Sequence, residues 1–219
     1  MRTFTKILAM VLISICATSL TSCLGDNDDN NESNFYTREE AAGILKTMSG
    51  YYTGKLYTEC MASPLDAEVK KDSVMNLQVR VTANDSIAHF MMPVKLFANA
   101  ITGNEKVREA VAASESQAID FQLFLMKSKS NDYYVFLPVP MNKFKFNVFY
   151  DGASHEIEVT FASSTIYRYT NIYAQGEYGK TNRTLSFIFL PYQMVLDKTT
   201  TVSLVTSPMM YTGTKIVEE

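Results

Sequence analysis

The chain has 219 residues, of which 47% are hydrophobic, 12% aromatic and 20% charged, and its 20 Lys+Arg stand against 23 Asp+Glu for a formal net charge of −3. That is the balance of a globular domain; it excludes a disordered chain and gives no broad basic surface for nucleic acid. Two His, three Cys and no Trp leave few residues for catalysis or metal ligation.

Arg2 and Lys6 precede the apolar run Ile7–Ala17, which ends at Thr18, Ser19, Thr21 and Ser22. The run is shorter than the ~20 apolar residues a membrane-spanning helix needs. It reads as a secretory signal peptide over residues 1–22, removed on maturation. Leu20-Thr21-Ser22-Cys23 resembles the bacterial lipobox, an aliphatic residue and two small ones before a Cys whose thiol is diacylated before cleavage. The resemblance implies lipid attachment at Cys23 and a membrane held through N-terminal acyl chains. Each buried methylene contributes about 0.8 kcal/mol, so two or three chains on one residue anchor far more firmly than the marginal single chain. Cys16 leaves with the signal and Cys23 carries lipid. Cys60 is then left without an intramolecular disulfide partner, and in a strand-like apolar stretch it reads as a small core residue before a reactive thiol.

Residues 23–36 combine that Cys with an Asp/Asn run, Leu24 to Asn34, which buries too little surface to offset its chain entropy and reads as a flexible tether. The run resembles the acidic export signal that follows the acylated Cys in Bacteroidetes lipoproteins. This implies an outer-membrane protein exposed at the cell surface, with the periplasmic face as the alternative.

Residues 37–219 read as one β-rich domain. Thr37-Arg38-Glu39-Glu40 is a capping box, and Ala41, Ala42, Ile44, Leu45 and Met48 continue at helical spacing, which predicts a helix over 38–48. Met75 to Thr82 alternates apolar and polar residues, as a half-buried strand requires. A turn at Ala83–Ser86 leads to a strand from Ile87 to Met92, closed by Pro93. Asn104 caps a second short helix near 104–113. Asp151-Gly152 joins the alternating runs 144–150 and 156–161 into a hairpin, because Gly accepts the positive φ of a type I′ turn. Further strands are expected at about 50–61, 118–127, 132–137, 166–174, 183–190, 201–206 and 210–217. Many antiparallel strands in one domain leave a barrel or a β-sandwich.

Gly50-Tyr51-Tyr52-Thr53-Gly54-Lys55-Leu56 after a short helix resembles the opening strand of the calycin-like lipoproteins of Bacteroidetes. In these, Gly-x-aromatic-x-Gly starts a lipocalin-type barrel. The match covers about seven residues and has Tyr52 where lipocalins have Trp. It implies a calycin-like antiparallel β-barrel.

His89, in a strand beside Phe90 and Met91, and His155, past the Asp151-Gly152 turn, are the residues suited to act as bases near neutral pH. Two His without a third ligand make no metal site, and no cofactor motif or Gly-x-Ser-x-Gly occurs. Glu156 and Glu158 share the solvent face of their strand. Tyr133, Tyr134, Tyr167, Tyr169, Tyr173, Tyr178 and Tyr192 concentrate in the second half. They read first as packing or sheet-surface residues, and second as the lining of a ligand cavity. Met91-Met92 and Met209-Met210 read as core filler. Asp72-Ser73-Val74 and Asp85-Ser86-Ile87 fit the Asp-Ser/Thr-aliphatic pattern of Bacteroidetes O-glycosylation, which implies modification at Ser73 and Ser86, both expected at strand starts.

The expected function is a non-catalytic, lipid-anchored binding module for a small hydrophobic or glycan ligand. The alternatives are a structural lipoprotein docking onto an outer-membrane complex or host molecule, and a hydrolase with an unrecognised site. A pocket above roughly 300 Å³ favours the ligand-binding module, and a filled interior with an exposed apolar patch favours a partner surface.

Overall fold

The computed structural model describes residues 35–61, 69–101, 103–161, 175–204 and 208–217. The signal peptide, Cys23, the tether, the strand expected at 166–174 and the side chain of Cys60 lie outside them.

Helix α1, Arg38–Met48, begins with the expected capping box: Thr37 Oγ1 accepts from Glu40 N, and Glu40 Oε2 accepts from Thr37 N at 2.9 Å. It buries Ile44, Leu45 and Met48. Helix α2, Glu105–Ala112, is capped by Asn104, whose side chain accepts from Val107 N at 3.1 Å. Between them a 3-10 helix, Val94–Ala100, buries Val94, Leu96, Phe97 and Ala98. Its apolar run is too short to show a period.

In chain order the strands are β1 (Gly50–Met61), β2 (Val69–Thr82), β3 (Ile87–Met92), β4 (Gln117–Met126), β5 (Tyr133–Pro140), β6 (Phe144–Tyr150), β7 (Ala153–Phe161), β8 (Gly176–Gly179), β9 (Thr184–Phe189), β10 (Pro191–Leu196), β11 (Thr200–Leu204) and β12 (Met209–Lys215). Eight of them, ordered β1-β12-β9-β8-β5-β4-β3-β2, close into an antiparallel barrel. Each barrel strand pairs with the next barrel strand along the chain, and β12 closes onto β1. The fold is thus the barrel and not the sandwich.

Two hairpins interrupt this meander, β6–β7 between β5 and β8, and β10–β11 between β9 and β12. They meet through β7 and β10 as a four-stranded sheet, β11-β10-β7-β6. The β6–β7 turn has φ 50° at Asp151 and 79° at Gly152, as type I′ requires. Phe97 of the 3-10 helix stacks on Phe146, and Phe161 of β7 meets Phe121 edge-on at 6.1 Å, so the second sheet and the barrel share one core.

The strands β8 and β10 were not expected, for two physical reasons. β8 has four residues bounded by glycines, and β10 follows β9 after Leu190 alone. Pro191 opens β10, where a missing N–H costs little.

The alternation from Met75 to Thr82 also breaks in the structure. Gly54 pairs with Leu77 and Leu56 with Val74, so Met75 and Asn76 together stand opposite Lys55. This β-bulge puts Asn76 at φ 58° and turns Met75 outward, 62% exposed, while Leu77, Val79 and Val81 stay inside. Because β2 begins at Val69, Asp72-Ser73 lies well inside it and not at its start, whereas Ser86 lies in the turn before β3.

Barrel closure rests on two facing glycines, Gly54 of β1 and Gly213 of β12. A Cβ on Gly54 would overlap the Thr212 carbonyl and the Gly213 Cα, which are backbone and have nowhere to go. Gly43 in α1 has nothing near its missing Cβ. Gly54→Ala is therefore expected to lower unfolding free energy by at least about 2 kcal/mol. Gly43→Ala is expected to raise it by about 0.5–1 kcal/mol, since alanine is the better helix former. Paired denaturant titrations check both.

Candidate functional site

The barrel interior comes first, since the expected ligand cavity would lie there. Phe90, Phe121, Phe136, Phe187 and Phe189 form one cluster with ring centroids 5.0 to 6.4 Å apart. Tyr52, Tyr178 and Tyr211 extend it, through Tyr52–Tyr178 at 6.4 Å and Phe187–Tyr211 at 5.3 Å. Tyr52, Leu56, Phe121, Phe136, Leu185, Phe189 and Tyr211 have 0% relative accessibility, so no water-sized void touches them. An eight-stranded barrel is just wide enough to be filled by its own side chains, and here the described ones fill it.

The buried phenols are satisfied inside. Tyr52 donates to Met48 O at the end of α1, and Tyr211 donates to Leu77 O at 3.4 Å. Burial pushes both hydroxyls well above the ordinary phenol range. Tyr134 stacks on Tyr178 and carries the Lys180 ammonium 4.3 Å from its ring centre. Of the expected tyrosines, Tyr178 is core, Tyr133 and Tyr192 are exposed, and Tyr167, Tyr169 and Tyr173 lie outside the described residues. Met92 and Met209 are core as expected, but Met91 points outward and is exposed.

Polar chemistry is gathered on the outside. Register places Tyr51, Arg80, His89 and Asp120 side by side across β1–β4. His89 Nδ1 lies 2.8 Å from Asp120 Oδ1, and Nε2 lies 3.4 Å from Thr82 Oγ1. The three look like a nucleophile, base and acid in series. However, the Thr82 hydroxyl has one proton and gives it to Asp85, whose carboxyl it holds below the ordinary range. Thr82 therefore has no proton left to give His89 and meets Nε2 only as an acceptor.

His155, past the hairpin turn, is half-buried. Its ring stacks on Tyr150 with centroids 4.1 Å apart, and Nδ1 lies 2.7 Å from Asp197 Oδ2. Asp197 Oδ1 also accepts from Glu156 N at 3.0 Å, tying the β10–β11 turn to β7. Glu156 and Glu158 occupy the outer face as expected. Lys145 bridges them at 3.0 and 3.1 Å, and Lys143 reaches Glu158 at 2.5 Å. Hydrogen bonds from the two lysines hold the Glu158 carboxyl down. Among the described residues no group of three metal-ligating side chains comes together.

Two depressions lined by described residues both lie on the outside. One, about 210 Å³, sits between β4 and β6 and is bordered by Asp120, Asn142, Lys143 and Lys145. The other, about 380 Å³, lies over β1–β2 and is lined by Lys55, Tyr57, Lys71, Asp72 and Ser73. The second falls within the size range of small-ligand sites. Within this set only Asp72-Ser73 carries a sequence motif, that of O-glycosylation; Tyr57 and the two lysines carry none.

The family described as "Domain of unknown function (DUF4840)" matches residues 47–196, more than half of the chain. The chain belongs to this family. The match runs from the end of α1 to the end of β10, so this DUF4840 chain supplies its closing strand β12 from beyond the matched region. No curated protein and no solved structure matches the chain.

The tyrosine shifts have a pH signature. A phenol with a folded-state pKa above its unfolded value near 10 stabilises the fold below that pH and loses the contribution as pH rises. Tyr52 and Tyr211 are expected to stay protonated while the barrel is intact and to ionise only as it unfolds. A spectrophotometric titration should show a late, cooperative phenolate step, reduced by Tyr52→Phe or Tyr211→Phe. Smooth ionisation of all tyrosines in the folded protein would contradict the packing.

Proposed function

We propose that this DUF4840 chain is a lipid-anchored, non-catalytic binding module of the outer membrane, displayed at the cell surface, that takes its ligand on the outside of a packed barrel. The observation that carries the reading is the pairing of a side-chain-filled interior with a ligand-sized polar depression on the outer face of β1–β2. The barrel is the scaffold, and its surface supplies recognition.

Anchoring rests on Leu20-Thr21-Ser22-Cys23 and on the acidic run behind it. Phe35 pairs with Met126 of β4, and residues 24–34 separate it from Cys23. Eleven residues reach at most about 40 Å, enough to hold the barrel clear of headgroups. An O-linked glycan at the half-buried Ser86 belongs to the same reading, while Ser73 keeps its hydroxyl on the exposed face of β2.

A structural docking lipoprotein is the second reading. It is favoured by exposed Phe124 and Val139, on the outer faces of the neighbouring strands β4 and β5. Exposed apolar side chains of this kind suit a protein partner.

Cys23→Ala is expected to move the protein out of the membrane fraction or to leave the precursor uncleaved. A processed, unacylated chain that stays with membranes would contradict the anchor. Surface protease digestion of intact cells checks the display: Asp26, Asp28 and Asp29 to Ala should protect the barrel, and unchanged cleavage would contradict the export reading.

A further inference from the structure

The groove over β1–β2 is built by the bulge. Two residues of β2, Met75 and Asn76, face the single Lys55 of β1, and Asn76 accepts the left-handed φ of 58° that this needs. With the extra residue, Leu56 and Val74 point inward together, and Tyr57 and Ser73, paired in register, point outward together. Lys71, two residues before Ser73, is exposed on the same strand.

The groups that result are fixed in place. The Lys55 ammonium lies 5.8 Å from the centre of the Tyr57 ring, and the Tyr57 hydroxyl reaches Met210 Sδ at 3.9 Å. Asp72 is oriented by Ser73 N at 2.7 Å and by Asn99 Nδ2 at 3.5 Å, one on each carboxylate oxygen. Asp72 is paired with the buried Thr58 and lies on the inner side of β2 with Val74, so it borders the groove from behind.

This set of groups discriminates among ligands. A cation meets two ammonium groups here, and a small inorganic anion leaves the Tyr57 ring and the Ser73 hydroxyl unused. A hydroxyl-rich ring with one acid group satisfies all of them. Its acid group lies between the lysines, its C–H face lies on Tyr57, and its hydroxyls exchange hydrogen bonds with Ser73. We infer that the groove formed by Lys55, Tyr57, Lys71, Asp72 and Ser73 binds an acidic saccharide. The inference deepens the reading above, on which it rests for the outer surface being the recognition surface. A free oligosaccharide and a glycolipid headgroup offer the same chemistry.

The test is calorimetry on the full acylated protein in detergent micelles, with trigalacturonate, neutral galactotriose and inorganic phosphate as probes. Trigalacturonate should bind and be released by salt. Lys55→Gln and Lys71→Gln should each weaken it by about threefold to fivefold. Tyr57→Ala should weaken it by about tenfold, while Tyr57→Phe, which keeps the ring, should bind like the native protein. All four side-chain changes lie outside the core, and unchanged melting temperatures confirm the fold.

Equal binding of galactotriose or of phosphate, or trigalacturonate binding that ignores all of these substitutions, would overturn the inference. The last outcome would still leave a saccharide-binding module, and loss of anchoring in the Cys23→Ala experiment would leave the groove intact, so the two readings fail separately. A glucuronosyl diacylglycerol placed in the same micelles distinguishes the sources. Displacement of trigalacturonate by it assigns the groove to a headgroup, and no displacement assigns it to a free saccharide.

Discussion

The structure depends on β1 and β12 coming close enough to seal the barrel, and Gly54 and Gly213 make that possible by presenting no Cβ at the seam. Once sealed, eight strands enclose a space that side chains can fill. Phenylalanine and tyrosine rings do so here, in contact from Phe90 through Phe187 to Tyr211. The seam also explains the glycine-flanked tyrosine of the opening strand. Gly50, at φ 135°, leaves room for Lys215 to cross and bond Thr47 O at 2.9 Å, and Tyr52 turns inward to hold the end of α1.

A filled interior sends polar chemistry outward. Buried polar groups require partners, and the barrel admits few: the Tyr52 and Tyr211 hydroxyls are bound to backbone carbonyls, and Thr58 Oγ1 reaches Pro208 O at 3.4 Å. The histidines, the Lys–Glu lattice of the second sheet and both surface depressions lie outside. The two inserted hairpins add a face to the molecule without disturbing the meander, because each leaves and re-enters at neighbouring barrel strands.

The backbone plan was legible in the sequence where local chemistry decides it. The Thr37 and Asn104 caps, the Asp151-Gly152 turn and the alternating runs 144–150 and 156–161 each report on a few adjacent residues, and the structure keeps them. The parts that were not legible depend on pairing. The bulge opposite Lys55 reverses the side of Met75, and nothing within β2 alone signals it. Short β8 is held by its neighbours, and β10 is hidden in the same run as β9. The site was harder to read for the same reason. Tyr57 meets Ser73 only through register, His89 finds Asp120 thirty-one positions away, and His155 finds Asp197 forty-two away. Residue types were visible, but their company was not.

The described residues leave the barrel filled by its own aromatic side chains, with no room for a guest. Xenon-pressurised crystals test this most directly, because xenon enters dry apolar cavities. The account predicts no xenon density within the native barrel, and density at the vacated ring in Phe187→Ala. Xenon bound among Phe121, Phe187 and Tyr211 in the unaltered protein would contradict it and return recognition to the interior.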